Sequence, residues 1–276
     1  METQTAITKC KDTALQIRKD IIEMTYQLGN MGAHLGGSLS MVEILSVLYT
    51  QVGRFDAENP QWEYRDRVIL SKGHGALALY PALASAHIID RNMLQEFKKN
   101  GSLLSGHPSL NGLAGIEFAS GSLGQGLSLG VGVALALKRK ENPAKVYVIL
   151  GDGECDEGSV WEAAASAAHY ELDNLIAIVD ANAIQYDGYT DEILRMNPWC
   201  DKWEAFGWKV IEVDGHDVAQ LLQAFDSEHC KQPLVIIANT IKGKGISFME
   251  GNKSFHNARL TSEQYQKAMQ ELESCS

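Results

Sequence analysis

Two patterns of apolar residues alternate along the chain. Over residues 11–28, Leu15, Ile17, Ile21, Ile22 and Leu28 stand among charges at roughly helical spacing. A second amphipathic run follows Ser40 through Ile44, Leu45, Val47 and Leu48, so the chain is expected to open with helices. The segment 29–37 between them, with His34 inside it, is too rich in glycine for either regular structure. Beyond it come short apolar runs at 67–70, 146–150, 175–179, 209–213 and 234–238, each bounded by Gly, Asp or Pro. Their lack of polar alternation predicts strands covered on both faces. Helical stretches at 125–139, 159–170 and 218–225 fill the gaps. Strands separated by helices of this length imply the α/β class, a parallel sheet with right-handed crossovers and helices on both faces. The tail after Thr261 reads as a short helix capped by Thr261 or Ser262. With no internal repeat and no linker-like stretch, the whole of 1–276 is expected to be one domain with N-terminal helices and a C-terminal helical tail.

Composition narrows the partners. The 276 residues carry 24 Lys and Arg against 35 Asp and Glu, a formal charge of −11, and no block of basic residues. A nucleic-acid partner is therefore not expected, because phosphate-backbone binding needs a basic footprint. Neither membrane insertion nor secretion is expected: no apolar run approaches the roughly 18 residues a span requires, and residues 1–12 form no apolar leader. The five cysteines, at 10, 155, 200, 230 and 275, form no C-x-x-C pair. They read as reduced thiols, which favours the cytoplasm.

In a sheet of this kind ligands bind beyond the carboxyl ends of the strands. There Gly151, Asp152 and Gly153 follow one strand and Asp180, Ala181 and Asn182 the next. A carboxylate and an amide at adjoining strand ends offer the hard oxygens that Mg²⁺ or Ca²⁺ prefers. The flanking glycines let backbone N–H groups approach an anion, and the helix that follows directs its positive end there. Each motif alone also fits ordinary turn chemistry. Four histidines, His34, His74, His107 and His256, lie in or beside loops rich in Gly, Ser or Pro, which suggests a polar pocket of proton donors. His87, His169, His216 and His229 read as structural, and no H-x-x-x-H spacing supports a zinc site. The glycines at 121, 124 and 126 follow no clear strand and no acidic residue is suitably placed about 20 positions on, so a dinucleotide fingerprint is not supported. Close approach of a planar ligand explains 121–123 better, and helix packing explains Gly130 and Gly132. Lys242 and Lys244, after the last strand, form no Walker A motif. Positive charge near a phosphate and a solvated loop both remain open for them.

Taken together these motifs resemble the transketolase family, and within it the half that binds the diphosphate of thiamine diphosphate. They are Asp66 to His74, Ser105 to Pro108, Gly121 to Gly126, Gly151 to Gly153 with Asn182, and Lys242 to Gly245 leading to His256. The resemblance covers about residues 11–260. It implies the thiamine diphosphate-binding fold of the diphosphate (PP) type. It implies that Asp152, Asn182 and the carbonyl of Ile184 bind Mg²⁺ or Ca²⁺, that Gly153 N–H and His74 contact the diphosphate, and that Gly121 and Leu123 line the ring end. His34, His107 and His256 would face the substrate, with His256 also at the cofactor, and metal, helix end and imidazoles would concentrate positive potential. Glu157 and Glu162 match acidic positions of the family's subunit interface. The implied reaction moves a two-carbon ketol unit from a ketose to an aldose, either of them a sugar or sugar phosphate, the coenzyme supplying the electron sink.

Single-chain transketolases are more than twice this length and carry, in a second domain, the glutamate that protonates the aminopyrimidine. The resemblance thus implies half an active site, completed by a separate C-terminal subunit with the pyrimidine-binding domain, as an α2β2 assembly. The competing expectations are a subunit like that of deoxyxylulose-phosphate synthase, a non-catalytic regulatory relative and a Mg²⁺-dependent phosphotransferase.

Overall fold

The short apolar runs form a five-stranded sheet. In the computed structural model, which describes residues 2–274, the strands are β1 (Arg67–Leu70), β2 (Val146–Gly151), β3 (Leu175–Ala181), β4 (Lys209–Asp214) and β5 (Leu234–Asn239). Met1, Cys275 and Ser276 lie outside the described residues, and with them the thiol expected at Cys275 and the outer limits of a 1–276 domain. The order is β1-β2-β3-β5-β4 and every pairing is parallel, so all five carboxyl ends open on one edge. β2 and β3 are in register with Gly151 opposite Asp180.

Successive side chains of a strand point to opposite faces, and this divides the apolar residues into two cores. Tyr147 and Ile149 of β2 join Ile176 and Ile178 of β3 in one. That core is completed by α1 (Glu2–Gln27), α3 (Val42–Val47), α4 (Ala76–Ser85), α9 (Val218–Phe225) and α10 (Ser262–Ser274), the elements of the two chain ends and of the crossovers beside β1 and β4. Val148 and Leu150 with Ala177 and Val179 build the other core, against α5 (Gly126–Arg139), α6 (Gly158–His169) and α8 (Trp199–Ala205). Helices cover both faces of β1, β2, β3 and β5, as the runs without alternation require, but the edge strand β4 is exposed at Lys209 and Glu212, so the expectation of a strand covered on both faces fails there.

The structure departs from the expected elements at the chain's start. α1 begins nine residues before the predicted helix. The run after Ser40 is not one amphipathic helix: it follows α2 (Gly36–Leu39), passes through α3 and ends in a π-helical turn at Leu48–Val52. α3 is buried on every side because it sits between α1 and α4. α4, apolar all round, went unpredicted, as did the short α7 (Thr190–Ile193) and α8. α10 is capped by Thr261, whose Oγ1 accepts the Gln264 N–H at 3.2 Å while Gln264 Oε1 accepts the Thr261 N–H at 3.0 Å. Gly130 is a packing glycine, since a Cβ there would lie 2.5 Å from Val148. Gly132 faces open space, and packing does not explain it. Among the described residues no helix is long and apolar enough to cross a membrane.

Candidate active site

The ends of β2 and β3 bring the predicted oxygen donors together. Asp152 Oδ2 accepts the Ala183 N–H at 2.6 Å, which seats the carboxylate on the loop carrying Asn182 and Ile184. Its Oδ1 accepts the N–H of Gly153 at 2.8 Å, so here that N–H is taken by Asp152 itself. Behind it lies a single 3₁₀ turn at 153–156, and the helix expected over 159–170 follows as α6 from Gly158. Asp152 is 5% exposed, and burial together with the neighbouring Asp180 pushes its carboxyl up to about 6. A buried carboxylate raised in this way is short of positive charge.

Two lysines and a second aspartate lie beneath these donors. Asp180 is fully buried and accepts from Lys72 Nζ, from Ser40 Oγ at 2.6 Å, from Thr240 Oγ1 and from Asn182 Nδ2 at 3.0 Å. The bond to Asn182 fixes which way its amide points. Burial raises the Asp180 carboxyl, but Lys72, Ser40 and Thr240 together more than offset it and hold it below the usual range. Lys242, 2% exposed, donates to the Ile184 carbonyl at 2.5 Å and to His256 Nδ1 at 3.0 Å. Burial and Lys72 lower its ammonium to about 8. The solvated-loop reading of Lys242 is thereby overturned, because the 241–245 loop folds inward onto Gly36, whose carbonyl accepts the Gly243 N–H at 3.0 Å.

The four predicted histidines meet in one cluster. The ring centroids lie 5.7 Å (His34–His74), 5.4 Å (His34–His107), 5.5 Å (His34–His256) and 5.5 Å (His74–His256) apart. A two-residue antiparallel bridge, Ala33 with Ala258 at 3.0 Å in both directions, binds the His34 loop to the His256 loop. Lys98 Nζ donates to Gly32 O at 2.7 Å while its stem passes Gly106, which adds the His107 loop. Burial, then His107 and the lysines, holds His34 at about 4; burial and Lys242 hold His256 at about 4. His74 and His107 are lowered too, burial being the larger cause in each. The imidazoles are thus neutral hydrogen-bonding groups at neutral pH. The expectation that they concentrate positive charge is corrected: Lys72 and Lys242 carry it. Since the ammonium of Lys242 can only donate, His256 accepts at Nδ1 and presents Nε2–H.

Gly121, at φ +142°, lies under the His107 ring, and Leu123 is 37% exposed on the same segment. Glu162 is exposed on α6, and Glu157 is exposed at the cap of that helix, with its Cβ against Gly124. His216 is structural as expected, bonded to Glu43 and to the Ile241 N–H. Sequence reasoning gave no role to Lys72, Asp180 or Glu154. The signal available was their position at strand ends beside the motifs that were chosen.

The family model described as "Transketolase, thiamine diphosphate binding domain" matches residues 12–273. The chain belongs to the transketolase family. It is 45% identical over 260 residues to the 6-deoxy-6-sulfo-D-fructose transketolase subunit SqwG of Clostridium sp. (strain MSTE9), covering 93% of this chain and 94% of that protein. To an apulose-4-phosphate transketolase subunit of Phocaeicola vulgatus it is 41% identical, over 92% and 90% of the two chains. It is 39% identical to human transketolase, over 95% of this chain but 42% of that one. The crystal structure of Campylobacter jejuni transketolase superposes with a TM-score of 0.85 at 31% identity, over 98% of this chain and 43% of that chain. The fold is the thiamine diphosphate-binding domain of transketolases, which are transferases, and it corresponds to their N-terminal region.

The oxygen donors suit a divalent cation. Among the described residues no three His, Cys, Asp or Glu side chains are placed to hold a metal ion by themselves. A cation here would have one carboxylate, one amide and one carbonyl and would need further oxygens. A magnesium ion bound through a single carboxylate and a ligand's phosphates has this character.

Proposed function

We propose that this chain is the cofactor-holding subunit of a two-chain transketolase, moving a ketol unit between sugars or sugar phosphates. Asp152, Asn182 and the Ile184 carbonyl hold Mg²⁺ or Ca²⁺, and through it the diphosphate, which His74, Lys242 and the 153–156 turn also face. Bound thiamine diphosphate supplies the electron sink for breaking a ketose carbon–carbon bond. The chain's own residues orient and hydrogen-bond. His34, His107 and His256, kept neutral, donate to ketose hydroxyls and to the oxygen that gains charge, and Gly121 and Leu123 line the ring end.

The single observation carrying this reading is the junction at Lys242, whose ammonium joins the Ile184 carbonyl to His256 and so sets the oxygen donors against the imidazole cluster. The subunit names and matching lengths of the relatives above support a separate partner with the pyrimidine-binding domain. Glu157 and Glu162 would face a subunit interface, with α2β2 as the proposed form of the assembly. The free thiols Cys10, Cys155, Cys200 and Cys230 favour the cytoplasm. The test is reconstitution: chain and partner together, with thiamine diphosphate and Mg²⁺, should transfer ketol units, and the chain alone should not. Full turnover by the chain alone would overturn the two-chain reading.

A further inference from the structure

Glu154 is a buried carboxylate that the cation and substrate sets do not use. It is 2% exposed. Its Oε1 accepts the Gly124 N–H at 2.9 Å and the Ser71 hydroxyl, and its Oε2 accepts the Gly151 N–H at 3.0 Å. Ser71 Oγ accepts in turn from the Gly126 N–H at 3.1 Å. The Gly124 N–H, the Gly151 N–H and the Ser71 hydroxyl all point at the carboxylate, whose two oxygens accept all three at once.

These bonds join three parts of the site. Ser71 follows β1, Gly151 ends β2, and the 121–126 segment opens α5. Among the described residues no main-chain hydrogen bond runs from 121–126 to either strand end. The segment is nonetheless pressed against the β1 loop. A Cβ on Gly126 would lie 2.3 Å from Ser71 Oγ, and one on Gly73 would lie 2.7 Å from the Gly121 nitrogen. Contact so close needs glycine on the packing side and a fixed acceptor on the other.

We propose that Glu154, acting with Ser71, is a positioning residue that fixes the Gly121–Leu123 segment at one height above the Asp152 loop, so that both ends of thiamine diphosphate are gripped at a set separation. This rests on the reading that 121–123 lines the ring end of the cofactor. Glu154 touches no reacting atom, so its removal weakens cofactor binding and spares the step that follows. Gln is the informative replacement. It keeps the volume but turns an NH₂ group toward an N–H or O–H donor, leaving buried donors without acceptors.

The experiment uses the chain assembled with its partner subunit. Thiamine diphosphate is titrated calorimetrically in Mg²⁺ against the parent, E154Q, S71A and the double variant. Melting temperature and kcat at saturating cofactor are measured alongside. E154Q is expected to weaken cofactor binding by about tenfold or more, with kcat changed less than about threefold. S71A should weaken it by about threefold, and the double variant should be no worse than E154Q, because the two act as one unit. Should E154Q not fold, S71A decides on the same terms. Affinity within about twofold of the parent in the folded variant, or a fall in melting temperature or kcat with affinity unchanged, overturns the proposal. A parent that binds no cofactor overturns the reading of the site itself, and the proposal with it.

Discussion

Glu43 and Asp152 are buried to similar degrees, 9% and 5% exposed, and their surroundings are opposite. Glu43, on α3, is held by both terminal nitrogens of Arg18 at 2.6 and 2.8 Å and by His216 Nδ1 at 3.0 Å. Burial raises its carboxyl, but Arg18 and His216 more than cancel that and leave it at about 2. Asp152 has two backbone N–H groups, and burial with Asp180 leaves it at about 6. The first is a finished internal bridge: Arg18 also donates to Lys244 O, and His216 accepts from Ile241, so it clamps the loop that carries Lys242. No cation is bonded to the second, and Lys72 offsets burial and Asp180 only in part. A fold retains such an imbalance where a ligand supplies the balance. Burial alone therefore does not separate structural from functional carboxylates; charge balance does.

That contrast breaks first at the cofactor. Asp152→Ala should weaken thiamine diphosphate binding in Mg²⁺ by about a thousandfold, roughly 4 kcal/mol, and calorimetry that finds the affinity retained removes Asp152 from the site. Stability should show the reverse order. Glu43→Gln leaves Arg18 partly uncompensated and should cost about 3 kcal/mol in denaturant unfolding. Asp152→Asn removes a carboxylate with no bonded cation but turns an NH₂ toward the N–H of Gly153 or Ala183, so it should cost about 1 kcal/mol in metal-free buffer, less than Glu43→Gln. Equal losses from both would erase the distinction. His107→Ala should lower donor turnover about tenfold to a hundredfold while cofactor affinity stays near the parent's, and unchanged turnover would take His107 off the substrate side.

The last effect is on pH. His34 and His256 have native values near 4 against 6.5 for the free side chain, so the unfolded chain binds more protons between those limits. The stability these two groups contribute should be fully present above about pH 6.5 and decline as the pH falls toward 4, offset in part by Asp152, whose raised carboxyl acts in the opposite sense below about pH 6. His34→Gln should flatten that slope, and an identical slope in the variant would mean that His34 is not held neutral by its neighbours.

Much of the scaffold was legible because β1, β2, β3 and β5 are short and apolar without alternation, a pattern with few other meanings. α4 was not, since Ala76 to Ala84 is apolar on all sides and has no period to read. At the site, glycines flanking Asp152 and the repeated loop setting of the histidines were readable locally. Lys72, Asp180 and Glu154 were not, and for Lys242 two readings stayed open, because a charged residue in a sequence looks the same whether it faces water or a buried partner. Their partners lie 108 positions apart in Lys72–Asp180 and 83 in Ser71–Glu154. Only the sheet order, which sets β1 beside β2 and β2 beside β3, brings them together.

The most direct test locates the cation. A crystal of the chain with its partner, soaked in thiamine diphosphate and Mn²⁺ as an anomalous substitute for Mg²⁺, should show one strong peak within about 2.0–2.3 Å of Asp152, Asn182 and the Ile184 carbonyl, with Lys242 withdrawn from that carbonyl. Ordered cofactor with the peak elsewhere, or with none, would contradict the account.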